Sequence, residues 1–242
     1  RDCLLSRGLG DVYKRQILTK CRTIDEALFY VGKTLENGWS RAVLLNFLDA
    51  RLFETQGKAL TNFRKNLPEP MSDLAQQTLK DPYNFDFLTM RENYNERELE
   101  DALTTNITRF LLELGSGFAF VGRQVRLEVN GNEYFIDLLF YHLKLRCYTV
   151  VELKVTEFKP EYLGQLGFYV TAVNRQLRRT EDNPTIGLII CKTKDRVVAE
   201  YALEGTNQPL GISQYDLMKV TSEELKNTLP SIEEIENELN EK

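Results

Sequence analysis

The chain has 242 residues, 42% of them hydrophobic and 28% charged, which is enough apolar content to bury a sizeable core and too much for a disordered tail. No run of eighteen or more apolar residues occurs, and no stretch has the charged, apolar and small-residue order of a secretory leader, so a cytoplasmic protein without a membrane span is expected. His142 is the one histidine, and Cys3, Cys21, Cys147 and Cys191 are far apart, which argues against His-paired nucleophiles, HExxH or Cys-rich zinc sites and a disulfide framework.

The formal net charge of −5 is concentrated at the C-terminus. From Thr221 to Lys242 there are seven Glu and two Lys, leaving 29 basic and 29 acidic residues in the body. A neutral body permits local basic patches over phosphates without demonstrating one.

Residues 1–16, RDCLLSRGLGDVYKRQ, begin without Met and read as a non-native leader resembling translated junction sequence; the competing reading is a genuine amphipathic lead-in. From Thr23 to about Phe63 the spacing is helical, first Ile24, Leu28 and Val31, then Trp39, Val43, Leu44, Phe47, Leu48 and Leu52. Between these runs ENGWSRAVL places a Gly break and Ser40 as an N-cap. Residues 17–90 therefore read as a small all-α domain, either helix-turn-helix or winged-helix-like or simply a packed helical pair. Punctuation at Asn66 to Ser72 and at Asp81-Pro82-Tyr83 places a domain boundary near residue 90.

Glu96 to Leu114 reads as one amphipathic helix, with Leu99, Leu103, Ile107, Phe110, Leu111 and Leu114 on one face and Gly115 beyond its end. The period then changes to two. Phe118 to Val129 and Tyr134 to Tyr141 form a predicted hairpin about Asn130-Gly131, and Cys147 to Lys154 a third strand. Pro160 to about Leu177 reads as a helix and Thr185 to Cys191 as a buried strand, an order that predicts α/β layers around a mixed sheet. Ile232, Ile235 and Leu239 are spaced for an acidic C-terminal helix over residues 230–242, to which no chemistry is assigned.

In VVELK, Val150 to Lys154, a strand delivers Glu152 and Lys154 onto one face. Asp137, in YFIDLLFY, lies fifteen residues earlier on the preceding strand, and the short link through Leu143 to Arg146 lays the two strands side by side. Phosphodiester cleavage needs a hard cation such as Mg2+ or Mn2+ to polarise phosphate and activate water, and the carboxylates of Asp137 and Glu152 suit it. Lys154 would orient the water or offset charge that develops in the transition state.

The ID-x14-ExK pattern within FVGRQVRLEVNGNEYFIDLLFYHLKLRCYTVVELKVTEFKPEYLGQLGFYV resembles the YhcG family of PD-(D/E)XK nuclease domains. The likeness covers a nuclease domain placed at residues 91–229, while GWSRAVL and NFRKNLPEPMSDLAQQTLKDPYNFDFL resemble the family's N-terminal helical domain, read as truncated. It implies a restriction-endonuclease-like α/β fold, with Asp137 and Glu152 as metal ligands and Lys154 as catalytic lysine, and a homodimer as the assembly. Related folds also use an acidic residue on the first core helix and a glutamine on the helix after the ExK strand. Glu100, on the apolar stripe with Leu103, Ile107 and Leu111, is preferred over Glu96. Gln165 lies one turn before Tyr169, where both would contact the scissile strand, and Gln124 is a further candidate for nucleic-acid contact.

An ExK at a strand end is usually a surface ion pair. Asp137 between Ile136 and Leu138-Leu139-Phe140 shifts the balance, because a carboxylate among apolar residues is costly unless paired or metal-bound. Arg123, Arg126, Lys144, Arg146, Lys159, Arg175, Arg178 and Arg179 flank the motif and form either a phosphate track or an ordinary solvated surface. His142 reads as a hinge or phosphate-proximal residue and Trp39 as core. The expected reaction is hydrolysis of DNA by a metal-activated water; the alternatives are a catalytically silent nucleic-acid-binding module and an RNA-directed nuclease.

Overall fold

The computed structural model describes residues 10–49 and 51–217. The predicted acidic helix over 230–242 and the first nine residues of the leader lie outside them.

Four helices come first: α1 (Asp11–Lys20), α2 (Ile24–Asn37), α3 (Arg41–Asp49) and α4 (Leu52–Thr55). Residues 11–16 of the leader lie in α1, which runs on to Lys20 and buries Ile17. Thr23 caps α2 by accepting from the Glu26 N–H, and Gly38 ends it in the left-handed region at φ 62°. The Ser40 hydroxyl accepts from Val43 N–H at 3.4 Å, the cap its sequence predicts. The packed face of α2 differs from the expected one. Ile24 and Leu28 are 78% and 52% exposed, whereas Tyr30 is fully buried and its hydroxyl donates to Phe47 O at 3.0 Å. A tyrosine can bury its ring and still satisfy its polar end, so it occupies the interior where the aliphatic residues do not.

Next come β1 (Leu60–Thr61), α5 (Phe63–Asn66), α6 (Met71–Thr78) and β2 (Tyr83–Asn84). The remaining elements are α7 (Glu96–Thr105), α8 (Ile107–Leu114), β3 (Phe118–Val129), β4 (Asn132–His142), β5 (Cys147–Glu157), α9 (Glu161–Gln176), β6 (Ile186–Thr193), α10 (Arg196–Glu204) and β7 (Leu210–Asp216). The expected single helix over 96–114 is two helices, because Asn106 leaves helical geometry at φ −102° and ψ 34°. The apolar stripe survives the break, with Leu99, Leu103, Phe110 and Leu114 fully buried.

The described strands form one mixed sheet in the order β1-β7-β6-β5-β4-β3, with β2 also on β7. The β3-β4-β5 run is antiparallel; β5-β6 and β6-β7 are parallel. At the β3–β4 turn Asn130 and Gly131 both take positive φ, 52° and 77°, the geometry whose twist matches the flanking strands. One face of the sheet is covered by α7, α8 and the segment from Ala59 to Leu88, the other by α9 and α10. Gly187 on β6 brings α9 close, since a Cβ there would lie 2.7–2.9 Å from side-chain atoms of Leu210, Leu166 and Val170.

The hydrophobic core does not divide at residue 90. Ala59, Phe63, Leu67, Met71, Ala75, Leu79, Tyr83, Phe85 and Leu88 share a core with Leu99, Leu138 and Leu188, while a separate cluster holds Ile17, Tyr30, Trp39, Leu44, Phe47, Leu48 and Leu52. Helices of four and eight residues cannot hold themselves together, so the 59–88 segment takes its stability from the sheet. No helix among the described residues is long and apolar enough to cross a membrane.

Candidate active site

β4 and β5 pair from His142↔Cys147 to Leu138↔Val151, and the ladder stops there. One step further Asp137 lies opposite Glu152, and the freed backbone donors turn to side chains. Leu153 N–H donates to Asp137 Oδ2 at 3.0 Å, and Asp137 N–H approaches Glu152 Oε1 at 3.5 Å. The β3–β4 register likewise skips from Arg123↔Leu138 to Val125↔Ile136. Gln124, in the gap, has φ 46°, a left-handed conformation that costs a non-glycine residue roughly 1–2 kcal/mol. Its side-chain amide donates to Glu100 Oε2 on α7 and, at 3.4 Å, to Asp137 Oδ1.

Val151 and Leu153 lie in the core under α7 and α8, and Val150 in the core under α9, so alternation sends Glu152 and Lys154 to the α9 face. There the Lys154 ammonium sits 5.2 Å from the Tyr162 ring centroid. It also stands 3.8 Å from Glu152 Oε2 and 3.7 Å from Glu96 Oε1. On α9 the Gln165 amide donates to the Tyr169 hydroxyl at 3.1 Å, one turn apart as the spacing predicts.

Burial sets the electrostatics. Glu152 is 2% and Glu100 4% exposed, and Asp137 is half-buried. Desolvation, with the neighbouring Asp137 charge second, pushes the Glu152 carboxyl up to about 8. Burial also raises Asp137 against the pull of the Leu153 N–H, and raises Glu100 against the pull of the Gln124 amide. At all three carboxyls the largest cause is desolvation, which disfavours the charged form.

The site therefore brings together Asp137, Glu152, Lys154, Glu100 and Gln124, with Gln165 and Tyr169 paired on the helix beside them. Glu96 and Tyr162, which sequence reasoning passed over for this site, both meet Lys154. Their signals were present: Glu96 is one turn from Glu100, and Tyr162 one turn before Gln165. Arg123 is committed to Asp101 and lies 4.0 Å from Glu100, and Lys159 is exposed between β5 and α9 without an ion pair among the described residues.

The flanking cations do not form one track. Lys144 pairs with Glu36, Arg126 with Glu128 and Glu133, and Arg146 carries the positive φ of the β4–β5 turn, at the far end of β4 from Asp137. His142 belongs to that far end too, about 17 Å along the strand from Asp137. Its Nδ1 accepts from Leu145 N–H at 3.0 Å and its ring packs edge-on against Phe118, so it braces the turn and is not close to a phosphate at the site.

Among the described residues no group of three His, Cys, Asp or Glu side chains forms a ready-made metal cage. The donor set nevertheless suits a hard cation that keeps most of its waters and takes only one or two protein carboxylates. Asp137, Glu152 and Glu100 are such donors, and all three have raised pKa values.

The sequence matches the YhcG PDDEXK nuclease domain over residues 76–230. The chain belongs to that family. This YhcG-family chain is also 34% identical over 226 residues to the protein named "Putative nuclease YhcG" of Escherichia coli (strain K12), an alignment that takes in 90% of this chain and 60% of that protein. It thus spans about 60% of that relative's length. Among solved structures, a repair endonuclease from Pyrococcus abyssi overlaps 55% of this chain and 50% of its own, at 13% identity and a TM-score of 0.34. An EndoMS–double-stranded DNA complex overlaps 57% of this chain and 49% of its own, at 14% identity and 0.37. The architecture is the expected α/β one, a restriction-endonuclease-like mixed sheet flanked by helices and preceded by a helical unit.

Proposed function

We propose that this chain is a metal-dependent nuclease that hydrolyses DNA phosphodiester bonds at the opened ends of β4 and β5. The observation that carries the reading is the meeting of Asp137 and Glu152 where the ladder stops, with the Lys154 ammonium 3.8 Å from Glu152. Asp137 and Glu152, with Glu100 beside them, are the residues that would hold Mg2+ or Mn2+. When bound, the cation supplies charge for the phosphate oxygens and lowers the pKa of an attacking water. Lys154 orients that water by hydrogen bonding and offsets negative charge on the phosphoryl oxygens. Gln165 and Tyr169 present an amide and a hydroxyl to the strand being cut.

The nuclease unit in this reading begins near Ala59, since β1 and β2 are strands of its sheet. The helical unit before it serves DNA contact or assembly, and a homodimer remains the expected assembly, to be checked by sedimentation. The test of the function is cleavage of linear, circular and branched DNA, with matched RNA, by purified protein in Mg2+ or Mn2+. Cutting by the native chain that is lost in Asp137→Ala and Lys154→Ala is expected. Binding without cutting would reduce the fold to a nucleic-acid-binding platform, and preferential cutting of RNA would reassign the substrate.

A further inference from the structure

We infer that Gln124 is a positioning residue: its neutral side-chain amide clamps the carboxylates of Glu100 and Asp137 side by side, so that both face one cation position. The inference rests on the metal-site reading above and assigns Gln124 a role inside the site, where the sequence pointed to nucleic-acid contact.

Three observations carry it. Glu100 and Asp137 belong to different elements, α7 and β4, so their side chains meet only through tertiary packing. A single NH2 group with two hydrogens is a donor to both, so one neutral group bridges the two carboxylates. The backbone is shaped for the purpose. Arg123 and Gln124 are consecutive yet both reach α7, Arg123 to Asp101 and Thr104, and Gln124 to Glu100. A regular strand sends neighbours to opposite faces, and the φ of 46° at Gln124 is what permits two in succession on one side.

The register gives the same geometry from the sheet. Gln124 falls opposite Asp137 in the gap of the β3–β4 ladder, and Asp137 falls opposite Glu152 just past the end of the β4–β5 ladder. The three residues thus fall in register across three strands, with Gln124 reaching Glu100 on α7. Gln124 occupies the outer of the three positions and sets where the two acids beside it point. Loss of such an outer hydrogen bond weakens metal binding by about 10–100-fold in metal sites generally.

The experiment is a calorimetric titration with Mn2+ alone, without nucleic acid, of the native chain, Gln124→Gly, Gln124→Asn and Asp137→Ala, with thermal melting of each. Glycine relieves the left-handed backbone and deletes the amide; asparagine tolerates that backbone but is one methylene too short to bridge. Both variants are expected to remain folded at the titration temperature and to bind Mn2+ about 10–100-fold more weakly. Unchanged Mn2+ affinity in Gln124→Gly overturns the clamp. If Mn2+ affinity is unchanged and binding in a parallel titration with duplex DNA weakens, Gln124 contacts nucleic acid instead. If Asp137→Ala leaves Mn2+ binding at the native level, the metal-site reading itself fails and the clamp with it; if it abolishes binding while Gln124→Gly binds Mn2+ as tightly as the native chain, only the clamp fails.

Discussion

Two lysines of this chain are buried against glutamates, and the two surroundings differ. Lys80 and Glu113 meet at 3.2 Å with side chains 1% and 8% exposed, and the ammonium packs 5.3 Å from the ring centroid of Phe47, a residue of the helical unit. Glu113 also accepts from Asn84 N–H at 3.0 Å. Burial alone pulls Lys80 down and pushes Glu113 up, and each partner offsets the other. That pair is balanced, one cation to one anion, within packed structure. Around Lys154 the balance fails, because Glu152 and Glu96 both lie within 4 Å of one ammonium and Asp137 lies beside Glu152. A buried pair of one cation and one anion leaves no net charge over, whereas surplus carboxylates create a demand for a cation.

The sharpest division between the two pairs comes from the lysines themselves. Lys154→Met is expected to lower DNA cleavage per folded molecule by about a thousandfold, read from a cleavage assay with urea unfolding to set the folded fraction. Lys80→Met is expected to do the reverse, costing about 3–5 kcal/mol by stranding the Glu113 carboxylate, with cleavage per folded molecule unchanged. An Lys80→Met protein as stable as the native chain would show that the first pair is not structural.

The far end of β4 offers an intermediate effect through pH. Burial holds the His142 ring at about 4, below its ordinary 6.5, so the folded state favours the neutral ring. Above about 6.5 that preference costs nothing; as pH falls towards 4 the unfolded chain takes up the proton first, and stability declines by up to about 3 kcal/mol. Carboxyls with raised pKa values act in the opposite sense, so the measure is the difference between native and His142→Asn proteins in urea at pH 7 and pH 4.5. Asparagine can still accept from Leu145 N–H but does not titrate, and equal pH slopes would remove the effect. The smallest change is expected for Lys80→Met combined with Glu113→Gln, within about 1 kcal/mol of the native chain, since neither charge is left stranded and the Gln amide oxygen still accepts from Asn84 N–H.

Much of the sheet was legible because hydrophobic period is a local signal. The Asn130-Gly131 turn, the apolar strand Cys147 to Lys154 and the helix carrying Gln165 and Tyr169 follow from spacing within a few turns of chain. The placing of Glu152 and Lys154 on one face follows from strand alternation in the same way. The division of the chain was less legible. Residues 59–88 carry helix and turn signals like those of the first helices, and nothing local says that their apolar side chains pack under the sheet. Ile24 and Leu28 misled for a related reason, since spacing shows that a stripe exists but not which stripe is covered.

By itself, then, the sequence determined the α/β order, the ID-x14-ExK spacing and the residue types at the candidate site, all of which depend on near neighbours in the chain. Only the tertiary structure decided that the β4–β5 ladder ends at Leu138, that Gln124 bridges Glu100 and Asp137, and that Glu96 and Tyr162 meet Lys154. Those contacts join separate helices and strands, and they depend on where backbone pairing stops, on burial and on the count of charges in one small volume. A linear pattern does not record these quantities.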